Sequence, residues 1–359
     1  MGTMTHIAGR AAFSKAVDIV LKNADKDREK EITKLVDLME KYMGSEKIDV
    51  DYNKVKELIC DKDKTLNKYI NRLLDEINRH VLKTTALNLG YEAFFHGTKT
   101  IRKMREVHDC NVPWLILMDP TSACNLHCTG CWAAEYGNKL NLTFDEMDSV
   151  ITQGKELGIY LYMFTGGEPL VRKEDIIKLC KKHSDCAFLA YTNGTLVDEK
   201  LCEQMVEVGN FYLAISLEGF EAVNDLRRGN GVYGKVMHAM ELLKQYGLIF
   251  GTSICYTSKN IETVTSDEFV DLMVEKGCRY AFYFHYMPVG NDAAVELLPT
   301  MQQRIYMKDR VRQIRNMKDG KGIFTMDFQN DGEYVGGCIA GGRNYFHINA
   351  NGDAEPCVF

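Results

Sequence analysis

Short apolar runs alternate with amphipathic segments from Pro113 onward, and this alternation constrains the fold more than any other feature of the 359-residue chain. Each apolar run has the length and the β-branched or aromatic content of a buried strand, and each amphipathic segment has apolar residues at helical spacing. Successive strand–helix units predict a parallel sheet covered by helices, and six units predict an α/β fold built as a partial (β/α)6 barrel. The predicted strands are 114–118, 159–164, 187–191, 211–216, 250–255 and 280–284, and the predicted helices are 143–157, 173–183, 198–208, 232–246 and 261–276.

The segment before the predicted barrel differs in composition and in its apolar pattern. Residues 11–107 are rich in Lys, Asp and Glu and carry apolar residues at helical spacing, with breaks near 23–25, 44–45 and 61–63. This pattern predicts about four helices. We find no residues there that indicate chemistry, so the region is interpreted as a helical cap or docking surface, with substrate gating as the alternative.

The segment after the sixth predicted strand contains a predicted helix at 300–317, a predicted strand at 323–328 and a Gly-rich tail. From Gly336 onward we expect a separate small module. The chain is therefore divided into an N-terminal helical region (1–110), a barrel core (111–320) and a small C-terminal extension (321–359).

Composition excludes several classes of protein. Hydrophobic residues make up 45% and charged residues 26% of the chain, as in ordinary globular proteins. A net charge of −6 argues against nucleic acid as the main partner, because a polyanion attracts a basic surface. Since we find no apolar run long enough for a transmembrane segment and no signal peptide, the predicted location is cytoplasmic. Twelve cysteines in such a chain indicate metal or redox chemistry rather than disulfides.

Three of these cysteines lie in one loop, directly after the first predicted strand. Cys124, Cys128 and Cys131 form a Cys-x3-Cys-x2-Cys run at the carboxyl end of that strand, where parallel α/β folds place ligand-binding residues. Cubane iron–sulfur clusters normally take four Cys ligands, so three close cysteines leave one iron free for another ligand. The alternatives are a zinc site, which usually needs four closed ligands, or free thiols.

A second motif ends the second predicted strand, and with the cysteines it resembles the radical S-adenosylmethionine (SAM) superfamily over residues 113–286. The motif is Gly166-Gly167-Glu168. Its glycines let the backbone approach a ligand, and Glu168 can accept a hydrogen bond from the SAM ammonium. The resemblance implies that Cys124, Cys128 and Cys131 hold a 4Fe-4S cluster. It also implies that SAM chelates the open iron and is cleaved to a 5′-deoxyadenosyl radical.

Further positions resemble SAM-contacting sites of the same family. By this resemblance Asn193, Ser216 and Glu218, after the third and fourth predicted strands, face SAM, although helix caps or turn residues are the alternative. Arg228 is favoured over Arg227 as the partner of the SAM carboxylate, with a solvated surface arginine as the alternative.

Two features of the predicted site leave questions open. Many family members have an aromatic residue just before the third cysteine, whereas this chain has Gly130, with Trp132 as a candidate for adenine packing. The polar cluster 285–292 follows the sixth predicted strand. His285 or Tyr286 could relay a proton there, and a structural histidine is the alternative.

The tail carries two more cysteines in a pattern that resembles the start of a SPASM or twitch extension. Cys338 and Cys357 flank a predicted β-hairpin at 346–353 that turns at Asn-Gly. The resemblance implies an auxiliary iron–sulfur cluster whose remaining ligands lie beyond Phe359; the alternative is that both cysteines are incidental. Buried thiols are the default for Cys60, Cys110, Cys180, Cys186, Cys202, Cys255 and Cys278.

The function implied by the resemblance is a radical SAM enzyme that abstracts hydrogen from a peptide or from a lipid or other small molecule. A flavodoxin or ferredoxin is the expected electron donor. Two alternatives stay open at this point: an activase that installs a glycyl radical on a partner enzyme, and a non-catalytic iron–sulfur or zinc scaffold.

Overall fold

A nine-stranded sheet forms the centre of the computed structural model, which describes residues 2–43, 51–133, 137, 139–289, 293–316 and 321–358. The strands are β1 (Leu115–Met118), β2 (Leu161–Phe164), β3 (Ala187–Thr192), β4 (Phe211–Ser216), β5 (Phe250–Tyr256), β6 (Tyr280–His285), β7 (Phe324–Asp327), β8 (Tyr345–Ile348) and β9 (Ala354–Glu355). Their order is β7-β6-β5-β4-β3-β2-β1-β8-β9. Neighbours are parallel except for the antiparallel pair of β8 and β9.

Helices connect the strands and cover one face of the sheet. They are α1 (Gly2–Asn23), α2 (Arg28–Met43), α3 (Tyr52–Cys60), α4 (Thr65–Glu76), α5 (Arg79–Thr85), a π-helix (Ala86–Gly97), α6 (Thr98–His108), α7 (Phe144–Leu157), α8 (Lys173–Lys182), α9 (Glu199–Val208), α10 (Glu221–Arg228), α11 (Val232–Gln245), α12 (Ile261–Val264), α13 (Asp267–Glu275) and α14 (Met301–Asn316). The predicted α/β fold with an N-terminal helical region is confirmed, and all six predicted strands are present. The predicted helix 261–276 is instead two helices, because the Ser266 side chain caps α13 by accepting from the Phe269 amide.

The strands alternate their side chains between two layers. Ile116, Met118 and Tyr162 belong to the large core under the helices, whereas Leu115 and Leu117 belong to a second cluster on the inner face of the curved sheet. Near the carboxyl ends, the inner positions are only half-buried, as the pattern of β5 shows. The inner face therefore opens at this edge of the sheet.

The N-terminal helices close the opposite edge. Arg72 in α4 donates to the carbonyls of Val274, Cys278 and Gly322, at the amino ends of β6 and β7. Glu76, one turn later, pairs with the buried Arg279 at 2.6 Å. This part of the helical region caps the edge of the sheet away from the cysteines. The predicted break between two helices at 44–45 lies outside the described residues.

The small module expected from Gly336 stays a prediction as a unit, and the strands of the C-terminal extension join the barrel sheet. β7 pairs with β6, and β8 pairs in parallel with β1, so the strands of the C-terminal extension enlarge the same sheet. β8 covers the β1 edge because Tyr345 and Ile348 bury apolar side chains against it. The predicted hairpin is confirmed: β8 returns as β9 through a turn in which Gly352 has φ +91°. The limits at residues 110 and 320 stay predictions.

Among the described residues, none of the helices has the length and apolar character needed to cross a bilayer.

Candidate functional site

Residues 119–131, here called the cysteine loop, follow β1 at the open edge of the sheet. The loop is fixed by backbone hydrogen bonds to the turn after β2 and to the end of α10. Gly167 donates to the Thr121 carbonyl at 3.0 Å, and Glu168 donates to the Ala123 carbonyl at 2.8 Å. On the other side, Thr129 donates to the Arg227 carbonyl at 3.0 Å, at the end of α10. These hydrogen bonds give the cysteine loop a defined conformation at the open edge of the sheet.

The three thiols of this loop are half-buried. Burial raises the pKa of Cys124 and of Cys128, and the arginines at 228 and 227 oppose this shift at Cys128. Among the described residues, the group of metal-binding side chains whose ligand atoms all lie within 4.8 Å is His6, Glu92 and His96, and the three thiols do not form such a group. A single zinc ion, with Zn–S bonds of about 2.3 Å, needs closer sulfurs. The wider spacing fits a multi-iron cluster better.

The Gly-Gly-Glu turn (166–168) lies directly against the cysteine loop. Gly166 has φ +96°, and a Cβ on Gly167 would lie 2.2 Å from the Ala123 carbonyl oxygen, so glycine is required at both positions. The turn and the cysteine loop are thus in backbone contact.

Glu168 is fully enclosed in this turn. Its carboxylate accepts hydrogen bonds from the Thr192 hydroxyl at 2.6 Å, the Asn193 amide at 2.7 Å and the Leu170 amide at 2.9 Å. Burial raises the pKa of Glu168, and these three donors oppose the shift. The observed contacts tie β2 to β3; the predicted contact with the SAM ammonium stays a prediction.

Asn193 connects the end of β3 with the cysteine loop. Its amide nitrogen donates to Asn125 Oδ1 at 2.8 Å, and its own oxygen accepts from the amide and hydroxyl of Thr195. Asn125 in turn donates to the Thr195 hydroxyl at 2.8 Å. Asn193 thereby holds the loop between the first two cysteines, in addition to its predicted role toward SAM.

A buried glutamate, Glu218, and two half-buried arginines form a charged cluster beside the second cysteine. Glu218 Oε1 accepts from Arg227 Nη1 at 2.8 Å and from Arg228 Nε at 3.0 Å, with Arg228 Nη2 also in contact. Glu218 Oε2 is buried and has no hydrogen-bond partner among the described residues. Arg228 Nη1 lies 4.0 Å from Cys128 Sγ. The structure therefore brings both arginines to the site, whereas the resemblance had favoured Arg228 over Arg227.

Ser216 and Cys255 lie on the inner face near the open edge. Ser216 ends β4 and is paired in register with Ser253 of β5, two residues before Cys255. Burial raises the pKa of Cys255 to about 11, and the neighbouring charges include Arg227 and Glu218. Sequence reasoning treated Cys255 as an ordinary buried thiol; the two-residue period of β5 was the signal that places it on the inner face.

The surroundings of Gly130 explain why this chain has no aromatic residue just before the third cysteine. Gly130 has φ +64°, and the ring of Tyr286 lies over it. Tyr286 is 1% exposed, and its hydroxyl accepts from the Ala294 amide at 2.9 Å. Trp132 is half-buried nearby in sequence. Residues 290–292 of the predicted polar cluster lie outside the described residues.

His285 is half-buried at the end of β6. Its Nε2 lies 2.8 Å from Met287 Sδ, while Nδ1 is buried without a hydrogen-bond partner among the described residues. Burial lowers its pKa to about 4, with Arg304 adding to the shift. The imidazole of His285 is therefore uncharged at neutral pH. Its role in proton relay stays a prediction.

An ionic triad centred on the buried His347 links the cysteine loop to β8 and β9, here called the tail hairpin. His347 Nε2 lies 2.9 Å from Asp119 Oδ1, and His347 Nδ1 lies 2.9 Å from Glu355 Oε2. Burial lowers the pKa of His347, but the two carboxylates outweigh it and the pKa is raised. Sequence reasoning missed all three residues, because they are distant in sequence and match no motif.

Cys338 and Cys357 both lie near Tyr345 of the tail hairpin. The Tyr345 hydroxyl is 3.4 Å from Cys357 Sγ, and the Tyr345 amide donates to the carbonyl of Ile339, next to Cys338, at 3.1 Å. Burial raises the pKa of the Tyr345 hydroxyl. Cys338 is exposed and Cys357 half-buried. Their role as ligands of an auxiliary cluster stays a prediction.

Residues 118–279 match the family model of the radical SAM superfamily. Fe-coproporphyrin III synthase of Methanosarcina barkeri is 24% identical over 233 residues, which cover 62% of this chain and 57% of that protein. PqqA peptide cyclase of Granulibacter bethesdensis is 26% identical over 258 residues, which cover 68% of this chain and 67% of that protein. The chain thus spans little more than half of the first relative.

Solved structures share the fold. Streptococcus suis SuiB bound to S-adenosylmethionine matches with a TM-score of 0.59 at 17% identity, over 73% of this chain and 64% of that chain. SuiB bound to precursor peptide SuiA matches with a TM-score of 0.58 at 18% identity, over the same shares of the two chains. The prediction of a radical SAM domain is confirmed, together with the cofactors that this superfamily uses, a 4Fe-4S cluster and SAM. The individual SAM-binding residues stay predictions.

Proposed function

We propose that this chain, whose residues 118–279 form a radical SAM domain, cleaves SAM reductively and directs the resulting radical at a carbon–hydrogen bond of a peptide. The relatives named above support the reaction class. The observation that carries the proposal is the Glu218 carboxylate, which is buried beside Cys128 and has one oxygen without a described partner.

That oxygen supports a polar ligand at this position. A buried acceptor without a donor costs about 1–3 kcal/mol, and a ligand hydroxyl or ammonium would remove the cost. SAM offers both groups, on its ribose and on its methionine end. We assign Glu218 and Ser216 to this part of SAM and the positive charge of Arg228 to its carboxylate.

The cysteine loop would hold the cluster through Cys124, Cys128 and Cys131. When bound, the reduced cluster supplies the electron that breaks a carbon–sulfur bond of SAM, giving methionine and a 5′-deoxyadenosyl radical. The chain keeps the loop in place through the Gly-Gly-Glu turn and Asn193. The half-buried inner face at Tyr191 and Phe284 limits water near the reacting atoms.

A peptide is the substrate class that we favour, because PqqA peptide cyclase and SuiB bound to its precursor peptide are both among the matches. An iron porphyrin is the second candidate, since Fe-coproporphyrin III synthase is also similar. The proposed electron donor is a flavodoxin or ferredoxin, and the proposed location is cytoplasmic. Cys338 and Cys357 are proposed as ligands of an auxiliary cluster, and the contacts of Tyr345 with Cys357 and with Ile339, the neighbour of Cys338, support this.

Anaerobic reconstitution with iron and sulfide tests the reaction class. With dithionite, the wild-type protein is expected to convert SAM to 5′-deoxyadenosine, and Cys128→Ala is expected to form none. Cys60→Ala is the matched control, because Cys60 is exposed at the end of α3. Equal 5′-deoxyadenosine from Cys128→Ala and wild type would contradict the cluster assignment. No product from the reconstituted wild type would favour the non-catalytic scaffold.

Product analysis tests the substrate. A peptide encoded beside the gene is expected to change mass when incubated with enzyme, SAM and reductant, whereas iron coproporphyrin stays unchanged. A change in iron coproporphyrin without a change in the mass of the peptide would instead support a porphyrin substrate. A radical appearing on a glycine of a partner enzyme would favour the activase.

A further inference from the structure

The tail hairpin reaches the SAM site through a continuous chain of buried contacts. His347, on β8, is fully buried and lies between Asp119 and Glu355 at 2.9 Å from each. The Nδ1 contact with Glu355 has hydrogen-bond geometry, and the Nε2 contact with Asp119 is an ion-pair contact at 2.9 Å. Two carboxylates beside one ring favour its charged form. Both ring nitrogens face carboxylates of the chain itself and the ring is fully buried, so we do not treat His347 as a catalytic residue.

The Asp119 end of the triad lies where β1 becomes the cysteine loop. The Asp119 amide donates to the Ile348 carbonyl of β8 at 2.9 Å, so backbone and side chain both bind the tail hairpin. The carboxyl also lies against the SAM-side turn: a Cβ on Gly166 would be 2.8 Å from Asp119 Cβ and 2.9 Å from Asp119 Cγ. A shift of Asp119 would therefore displace the Gly-Gly-Glu turn.

The Glu355 end of the triad lies in the tail hairpin itself. Glu355 Oε1 accepts from Asn349 Nδ2 at 2.8 Å, and Asn349 Oδ1 accepts from the amides of Asn351 and Asp353 in the turn. The conformation of the hairpin turn thus fixes Glu355. Glu355 in turn fixes the ring of His347.

We propose that His347 is a positioning residue through which the tail hairpin sets the geometry of the cysteine loop and the Gly166 turn, so that SAM affinity depends on the tail. This inference rests on the proposed function. It extends that function because it assigns the tail hairpin a role at the SAM site that is separate from any auxiliary cluster.

The test compares His347→Leu with His183→Leu. His183 is an equally buried histidine whose Nε2 lies 2.9 Å from Asp148 Oδ1, between α8 and α7 and away from the cysteine loop. Both variants lose a buried histidine–carboxylate pair, so both are expected to lower the melting temperature. The SAM dissociation constant is measured from the change that SAM causes in the EPR spectrum of the reduced cluster, at matched iron content.

His347→Leu is expected to weaken SAM binding by about five-fold or more, the lower end of typical coupling between sites. His347→Gln, which keeps one donor group, is expected to restore part of this loss, and His183→Leu to bind SAM as the wild type does. Glu355→Gln is a second variant that tests the same inference if His347→Leu does not fold. Glu355 is 29% exposed on its side chain, and this variant removes the tail charge while leaving the Asp119–His347 pair in place.

Wild-type SAM affinity in both His347→Leu and Glu355→Gln would overturn the inference and leave the triad a stabilising contact only. Failure of the proposed function gives a different result. In that case the reconstituted wild-type protein itself would show no SAM-dependent change in its EPR spectrum.

Discussion

A Cβ atom on Gly130 would lie 2.5 Å from the hydroxyl oxygen and 2.9 Å from the ring of Tyr286. The contact places an aromatic ring from the end of β6 against the residue between the second and third cysteines. The loop thus accommodates the ring because it has a glycine there.

The first prediction concerns this contact. Gly130→Ala is expected to destabilise the protein by about 1–3 kcal/mol more than Gly137→Ala, and to lower the iron content after reconstitution. Gly137 has the same φ of +64°, and no described atom lies within 4 Å of a Cβ there, so it carries the backbone strain without the clash. Chemical denaturation and iron analysis measure both effects. Equal losses in the two variants would show that the Tyr286 contact is unimportant.

The second prediction concerns the Gly-Gly-Glu turn. Gly167→Ala is expected to cost at least about 1–3 kcal/mol and to prevent cluster assembly, because the new Cβ meets the Ala123 and Ser122 carbonyl oxygens within 2.5 Å. Backbone atoms cannot move aside as a side chain can. Gly234→Ala in α11 is the control; with open space around it, this change is expected to stabilise the protein by about 0.5–1 kcal/mol. Cluster absorbance that survives in Gly167→Ala would argue against a close-packed turn.

The third prediction concerns the charged cluster at Glu218. Glu218→Ala is expected to lower the free energy of unfolding by about 3–5 kcal/mol and to abolish SAM binding, since it leaves two largely enclosed guanidinium groups, 14% and 10% exposed, without their carboxylate. Urea denaturation and SAM titration measure the two effects. Glu174→Ala breaks the exposed pair with Lys200 and is expected to cost about 0–1 kcal/mol. A loss no larger than that of Glu174→Ala would contradict the buried ion cluster.

The fourth prediction concerns pH. His96 in the π-helix stacks on His6 with ring centroids 3.7 Å apart, and burial followed by the His6 charge lowers its pKa to about 4. An unfolded histidine has a pKa of about 6.5, so the unfolded chain binds more protons between about pH 6.5 and 4. The stability contributed by neutral His96 is therefore present above pH 6.5 and lost as the pH falls toward 4.

Replacement of the ring tests the sign of this effect. His96→Phe keeps an aromatic ring without the titrating nitrogens and is expected to show a shallower loss of melting temperature between pH 6.5 and 4. His238→Phe, on the exposed face of α11, is the control and is expected to keep the wild-type slope. An unchanged slope in His96→Phe would place the acid sensitivity elsewhere.

The barrel strands were predictable from sequence because buried parallel strands are short apolar runs with helices between them. α10 was not predicted, since Glu221–Arg228 is short and mostly polar and lies where a loop was expected. The parallel pairing of β8 with β1 was also missed. Its partners, Leu115 and Tyr345, are 230 residues apart, and nothing in either local sequence specifies the other.

The candidate site was predictable where a motif is continuous in sequence. The three cysteines and the Gly-Gly-Glu turn are such motifs, and the structure places them in contact. The donors to Glu168 come from β3, and the carboxylates around His347 come from β1 and β9. Contacts of this kind form only when the sheet brings distant segments together. The residues involved belong to no sequence motif, so their contacts could not be predicted from the sequence.

The pairing of β1 with β8 also has a consequence for how the protein is made. Because β8 leaves the ribosome long after β1, one edge of β1 stays unpaired until β8 is made, and an open strand edge favours aggregation. Until β8 arrives, Asp119 also lacks His347, and the cysteine loop is incomplete. Iron loading of a nascent chain before β8 is made would therefore meet an unfinished site, and we expect cluster insertion to follow the synthesis of β8.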